Sequence, residues 1–107
     1  MAALSSRCVD MEKSSYVYMM ANTPYGTLYV GSTTNLVQRI WQHREGVIEG
    51  FTKLHGLKRL VWYEVHGEIM DAGLREKQIK LWKRDWKVNL IQEMNPEWRD
   101  LYEEIVR

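Results

Sequence analysis

Residues 16–31 read YVYMMANTPYGTLYVG. Two runs rich in Tyr and Val flank Thr23-Pro24-Tyr25-Gly26. Pro24 presets φ at the second position of a tight turn and Gly26 suits the fourth. The pattern therefore predicts an antiparallel hairpin with strands over 15–22 and 27–32. With a two- or four-residue loop, Asn22 lies opposite Thr27 and Met20 opposite Tyr29, which makes Tyr18 the diagonal, same-face neighbour of Tyr29. The other face carries Val17, Met19, Ala21, Leu28 and Val30, so the core is expected there. The tyrosine face is left for a site or a second layer. A one-residue change of loop length would exchange the two faces.

Working outward, Asn35 reads as a helix cap with Gln38 as its capping-box partner. The helix LVQRIWQHRE follows and stops near Gly46. Its buried arc is expected to be Leu36, Val37, Ile40 and Trp41, with Arg39 and His43, four apart, at one margin. Residues 46–58 carry three glycines and read as a loop, and RLVWYEVH (59–66) as a third strand. A long helix is expected from about Met70 to Met94, ending before Pro96, with Ile79, Trp82, Trp86 and Leu90 as its buried stripe. A short last helix is expected over 97–106. The order β-β-α-β-α-α implies an α+β fold, a small three-stranded antiparallel sheet flanked by helices. Residues 1–13 lack sustained periodicity and read as a flexible tail, leaving 14–107 as a single domain.

Composition narrows the classes. The 107 residues are 45% apolar and 27% charged, enough for a core and for solubility. No stretch approaches the ~18 apolar residues of a membrane span, and the N-terminus lacks a signal peptide's apolar run, so a cytoplasmic location is expected. Cys8 is the single cysteine, which excludes an internal disulfide and cysteine-rich zinc sites. Net charge is only +1, but REKQIKLWKRDWK (75–87) holds six basic residues against two acidic ones. Such a local stripe can form an electrostatic footprint.

Two patterns have both a bland and a chemical reading. Glu76, Lys80, Lys83 and Lys87 fall at i, i+4, i+7 and i+11, one face of a helix. They are a solvated face with a Glu76–Lys80 pair worth ~0.3–0.5 kcal/mol, or a hard-cation ligand with lysines guiding phosphate; magnesium needs only one or two protein carboxylates when water and phosphate complete its shell. Arg39 and His43 are a solvated margin, or a guanidinium clamping phosphate with a histidine within proton-transfer reach.

The hairpin resembles the signature of the GIY-YIG nuclease superfamily. The first triplet corresponds to Tyr16-Val17-Tyr18, with Tyr16 where the family has glycine, and the second to Tyr29-Val30-Gly31. The family's helical arginine, later glutamate and following asparagine correspond to Arg39, Glu76 and Asn95, with Asn89 as the alternative asparagine. His43 matches a histidine found one turn after the arginine in several branches. The similarity runs from about Ser15 to Asp100, and the stretch from REKQIK to NPEWRDL is similar to the small stand-alone, excinuclease-C-like branch.

The resemblance implies a Mg2+- or Mn2+-dependent endonuclease hydrolysing phosphodiester bonds in DNA, in repair or in processing of structured DNA. Tyr18 would be the general base, Tyr29 would orient water or phosphate, and Arg39 would stabilise phosphate charge. His43 would add positive charge, Glu76 would hold the metal, and Asn95 would position. A phenol of pKa ~10 needs such nearby positive charge to act near neutrality. Lys80, Lys83 and Lys87 are the expected nucleic-acid contacts, and cutting both strands would require two sites, as in a homodimer. The alternatives are a non-cleaving nucleic-acid-binding domain of the same fold, or a protein-interaction domain.

Overall fold

The hairpin forms with the expected register. β1 (Ser15–Ala21) and β2 (Leu28–Thr33) are antiparallel, with Met20 opposite Tyr29 and Tyr18 opposite Gly31. Gly26 N–H donates to the Thr23 carbonyl at 3.0 Å, and Tyr25 takes φ 58°, the left-handed value that the third position of a type II turn requires. Asn22 leaves the strand, and its side chain accepts from Thr27 N–H at 3.0 Å. The structure, a computed structural model, describes residues 14–107, so the flexible tail expected over 1–13 lies outside the described residues.

β3 (Arg59–His66) pairs antiparallel with β1, giving strand order β2-β1-β3, with a bulge facing the Met19–Met20 step. The first strand is therefore the middle one, and both of its faces are covered. One face joins Val17, Met19, Ala21, Val30 and Trp62 to Ala72, Ile79, Ile91 and Trp98. The other joins Tyr18, Met20 and Leu60 to Leu36, Ile40, Leu57 and Leu101. The tyrosine face is thus a second apolar layer, and Tyr18 is wholly buried in it.

α1 (Leu36–Glu45) has the expected bounds. Asn35 Oδ1 accepts from Gln38 N–H at 3.1 Å, the Asn35 amide donates to Gln38 Oε1 at 3.2 Å, and Gly46 closes the helix at φ 71°. Its buried face is Leu36, Ile40 and His43, while Val37 and Trp41 are 40% and 48% exposed. This corrects the expected arc: a polar residue, bonded on both ring nitrogens, occupies the interior position that hydrophobicity assigned to Trp41. α2 (Phe51–His55) stands where a loop was expected, between Gly50 at φ 115° and Gly56 at φ 65°.

The long helix expected over 70–94 is two helices, α3 (Ile69–Leu81) and α4 (Arg84–Met94), separated by extended backbone at Trp82 and Lys83. A continuous stripe of Ile79, Trp82, Trp86 and Leu90 would outrun a sheet this narrow. The break lets Ile79 and Ile91 both reach full burial, with Trp82 and Leu90 half-buried against them and Trp86 left 56% exposed. Arg84 ties α4 to the hairpin turn through the carbonyls of Tyr25 (2.6 Å) and Gly26 (2.8 Å). The last helix is shorter than expected, α5 (Tyr102–Ile105). Residues 95–98 instead form a turn, closed by Trp98 N–H donating to the Asn95 carbonyl at 3.0 Å, that drives Trp98, at φ 55°, completely into the first core. Asp100 accepts from Leu60 N–H (3.2 Å) and Tyr102 N–H (3.0 Å) and pairs with Arg44, fastening this segment over the second core. Among the described residues, no helix is long and apolar enough to cross a membrane.

Candidate active site

The site lies along the β2 edge of the sheet, where Tyr18 and Tyr29 on the tyrosine face, with α1 and α2, meet Ser32 and α3 from the opposite face. At its base the Tyr18 hydroxyl is 2.8 Å from His43 Nε2, and His43 Nδ1 is 3.0 Å from Thr52 Oγ1. All three side chains are buried. The spacing of the second triplet explains why Tyr18 fits. Its phenol lies across Gly31, where an added Cβ would fall 2.6 Å from the hydroxyl oxygen and 2.7 Å from Cζ. Glycine is needed at this position for the close approach of a ring, not for an unusual φ.

The chain of bonds holds two neutral groups. Burial raises the Tyr18 pKa, and the neighbouring Tyr29 adds to this; the Arg39 guanidinium pulls it down but does not prevail. Burial pushes His43 down to about 4, and the positive charge of Arg39 adds to the effect. His43 is therefore an uncharged imidazole at neutral pH. Two proton arrangements satisfy both ring nitrogens: Tyr18 O–H donates to Nε2 while Nδ1–H donates to Thr52, or Thr52 O–H donates to Nδ1 while Nε2–H donates to Tyr18. In the first, the phenol can take a proton from water while passing its own to His43.

Beside this buried pair, at the β2 edge, sits a half-buried, charged layer. Glu76 Oε1 accepts from the Ser32 hydroxyl at 2.5 Å, and Glu76 Oε2 lies 2.5 Å from Lys80 Nζ. Burial alone would raise the Glu76 pKa, but the bonds from Lys80 and Ser32 and the charges of Lys80 and Lys77 outweigh it and hold it below the usual value. Glu76 is thus ionised and only partly exposed, a correction to the exposed-face placement. Lys80 Nζ lies 5.9 Å from the centre of the Tyr29 ring, and Tyr29 packs against Tyr18 (6.3 Å between ring centres) and His43 (5.7 Å).

Five expected residues therefore meet: Tyr18, Tyr29, Arg39, His43 and Glu76, with Lys80 beside them. Lys83 and Lys87 do not share a helix face with Lys80, because the chain breaks between them; Lys83 precedes α4, and Lys87 Nζ donates to the Lys80 carbonyl at 3.4 Å. Asn95 is not joined to the group. It is buried at the end of α4, where its amide donates to the Val61 (3.1 Å) and Arg99 (2.8 Å) carbonyls and accepts from Arg99 N–H (3.2 Å). These bonds hold the Trp98 turn against β3. Asn89, the alternative, is exposed on α4 beside Trp86.

Thr52, Ser32 and Phe51 were missed. FTKLH is too short for periodicity to declare a helix, and only its bracketing glycines hinted at an element. A hydroxyl that serves a histidine or a carboxylate distant in sequence leaves no local pattern.

Among the described residues, no three His, Cys, Asp or Glu side chains converge as a metal cluster. Glu76 is the single carboxylate of the group. A hard cation completed by water and phosphate fits one carboxylate, but the Lys80 ammonium stands at Oε2 and would have to give way.

This architecture is that of a GIY-YIG catalytic domain, a nuclease-type domain. The chain belongs to the GIY-YIG family: the profile of the GIY-YIG catalytic domain matches residues 14–89. Relatives are UPF0213 proteins. SH2523 of Staphylococcus haemolyticus is 35% identical over 78 residues, 73% of this chain and 94% of its own. A UPF0213 protein of Bacillus pumilus is 29% identical over 87 residues, 81% of this chain and 89% of its own. The solution structure of UPF0213 protein BH0048 from Bacillus halodurans superposes with a TM-score of 0.51 at 26% identity, covering 81% of this chain and 92% of that one.

Proposed function

We propose that the protein is a divalent-metal-dependent endonuclease that hydrolyses phosphodiester bonds in DNA, with structured DNA of the kind met in repair as its substrate. The observation that supports this best is the buried Tyr18–His43 bond lying beside Arg39 and the Glu76–Lys80 layer. Hydrolysis requires a proton acceptor for water, positive charge at the phosphate, and stabilisation of the leaving oxygen.

In this reading Arg39 receives the phosphate. Burial is the main cause of the low His43 pKa, but pairing with phosphate neutralises the Arg39 charge that adds to it, so substrate binding makes His43 a somewhat better base. Tyr18 takes the proton from water as it hands its own to His43, and Thr52 holds the imidazole in the required orientation. Such a relay suits a phenol whose pKa burial has raised, since it never becomes a free phenolate. Tyr29 orients the water or phosphate, and Lys80 moves from Glu76 to the incoming backbone. Mg2+ or Mn2+, held by Glu76, would supply Lewis-acid stabilisation of the phosphoryl and leaving oxygens. Asn95 supports the site from a distance by holding the Trp98 turn on β3.

The test is a pair of variants with opposite effects on affinity. Glu76→Gln should lose nearly all cleavage of nicked, flap and single-stranded DNA while keeping or gaining affinity, because a negative charge near the phosphate is removed. Arg39→Ala should lose both. Wild-type cleavage by Glu76→Gln at limiting magnesium would place the metal elsewhere. Unchanged affinity in Arg39→Ala would remove the phosphate role.

A further inference from the structure

The solvent side of the candidate site is aromatic. Phe51, the first residue of α2, is 46% exposed although it is the chain's single phenylalanine. Its ring stacks on Tyr29 at 24° with 6.4 Å between centres, and His55, one turn on, lies 4.3 Å from Phe51. Tyr29 in turn carries Lys80 over its ring and so adjoins the Glu76–Lys80 layer. From Glu76 through Lys80 and Tyr29 to Phe51 and His55, the surface passes from charged to aromatic in neighbouring side chains.

From this juxtaposition we infer that Phe51, with His55 beside it, is a stacking platform for an unpaired base next to the phosphate held at Arg39 and Tyr29. The inference rests on the nuclease reading and adds a substrate class to it: nucleic acid with at least one unstacked nucleotide at the cleavage point. Three features carry it. Phe51 keeps about half its surface in water while its ring lies against Tyr29, a residue of the site itself. Every base offers a π-face, so a platform of this kind binds without sequence preference. In a paired duplex the base faces are covered by neighbouring bases, so the platform can engage only a single strand, a flap, a gap or a flipped base.

The experiment measures binding in a chelator, so that no cleavage intervenes. The probes are a single-stranded oligonucleotide, the same strand fully paired, and single strands with one abasic residue at successive positions. Phe51→Ala should weaken single-strand binding by about 5- to 150-fold, the range expected for removing one base stack. The salt dependence should stay unchanged, because every phosphate interaction remains in place. One abasic position should weaken wild-type binding by a similar factor and have no further effect on Phe51→Ala. Phe51→Leu, which keeps an apolar cover on Tyr29 but no π-face, should behave as Phe51→Ala, and Phe51→Trp should bind at least as well as wild type.

Wild-type affinity in both Phe51→Ala and Phe51→Leu would overturn the platform. Loss in Phe51→Ala with recovery in Phe51→Leu would also overturn it, since the ring would then be only a cover. Wild-type binding of these probes with no abasic-sensitive position would refute the platform while leaving the nuclease reading intact. A wild-type protein that binds none of them would refute both.

Discussion

At the scale of single residues, the site depends on a close approach that a one-letter pattern conceals. Glycine is required at position 31 by what lies over it, the Tyr18 phenol at contact distance. Gly31→Ala should therefore cost about 1–3 kcal/mol, the usual range for overpacking, and should displace Tyr18 from His43. Thermal melts of Gly31→Ala, Tyr18→Leu and the double variant test this: the double variant should be more stable than the sum of the two single losses predicts. Tyr18→Phe keeps the ring, and from sequence little loss of stability would be expected. The structure changes that expectation, because the buried His43 nitrogen loses its partner. A loss of ~1–3 kcal/mol should accompany a ~10²–10⁴-fold loss of cleavage. A Tyr18→Phe variant with wild-type turnover would transfer the proton-accepting role to another group.

At the scale of elements, the break between α3 and α4 matters most. It divides a lysine row that sequence spacing placed on one helix, and of that row it is Lys80 that pairs with Glu76 and lies over Tyr29. Removing one phosphate-binding cation, in Lys80→Ala, should flatten the log affinity–log salt slope by ~0.9 on duplex DNA or ~0.7 on a single strand. Lys83→Ala and Lys87→Ala should have smaller effects. Equal flattening by all three would mean that the phosphate track runs across the break. α2 shows the converse case: five residues between two glycines place both Thr52, inside, and Phe51, outside, against the site.

At the scale of the whole molecule, a buried neutral histidine sets the acid side of stability. The His43 pKa falls from 6.5 to about 4 on folding, so between these values the unfolded chain binds the extra proton. Stability from this group is therefore full above pH ~6.5 and is lost as pH falls toward ~4, on the order of 3 kcal/mol in all. The depressed Glu76 acts in the same direction at lower pH, its contribution being lost as pH drops through its folded value. Denaturation midpoints of wild type and His43→Asn should converge as pH is lowered from 7 to 4, because only wild type has the proton to gain at this position. Parallel curves would mean that His43 titrates normally.

The sequence by itself determined the elements whose causes are local. The Thr-Pro-Tyr-Gly turn set the hairpin register, Asn35 and Gly46 set both ends of α1, and RLVWYEVH read as β3. The tyrosines, Arg39, His43 and Glu76 could be picked out because they match, in order, the residues of the GIY-YIG signature that the chain resembles; their own spacing left a bland reading open. Only the tertiary structure decided which of these groups were buried. Placing β1 between two partners covered both faces, turned the tyrosine side into a second core, and made His43 an interior group in place of Trp41. It also broke the long helix to fit a narrow sheet, gave Asn95 to the Trp98 turn, and brought Ser32, Thr52 and Phe51 to the site. Each of these outcomes depends on contacts between residues far apart in sequence, where packing and desolvation outweigh local propensity and leave no trace in spacing.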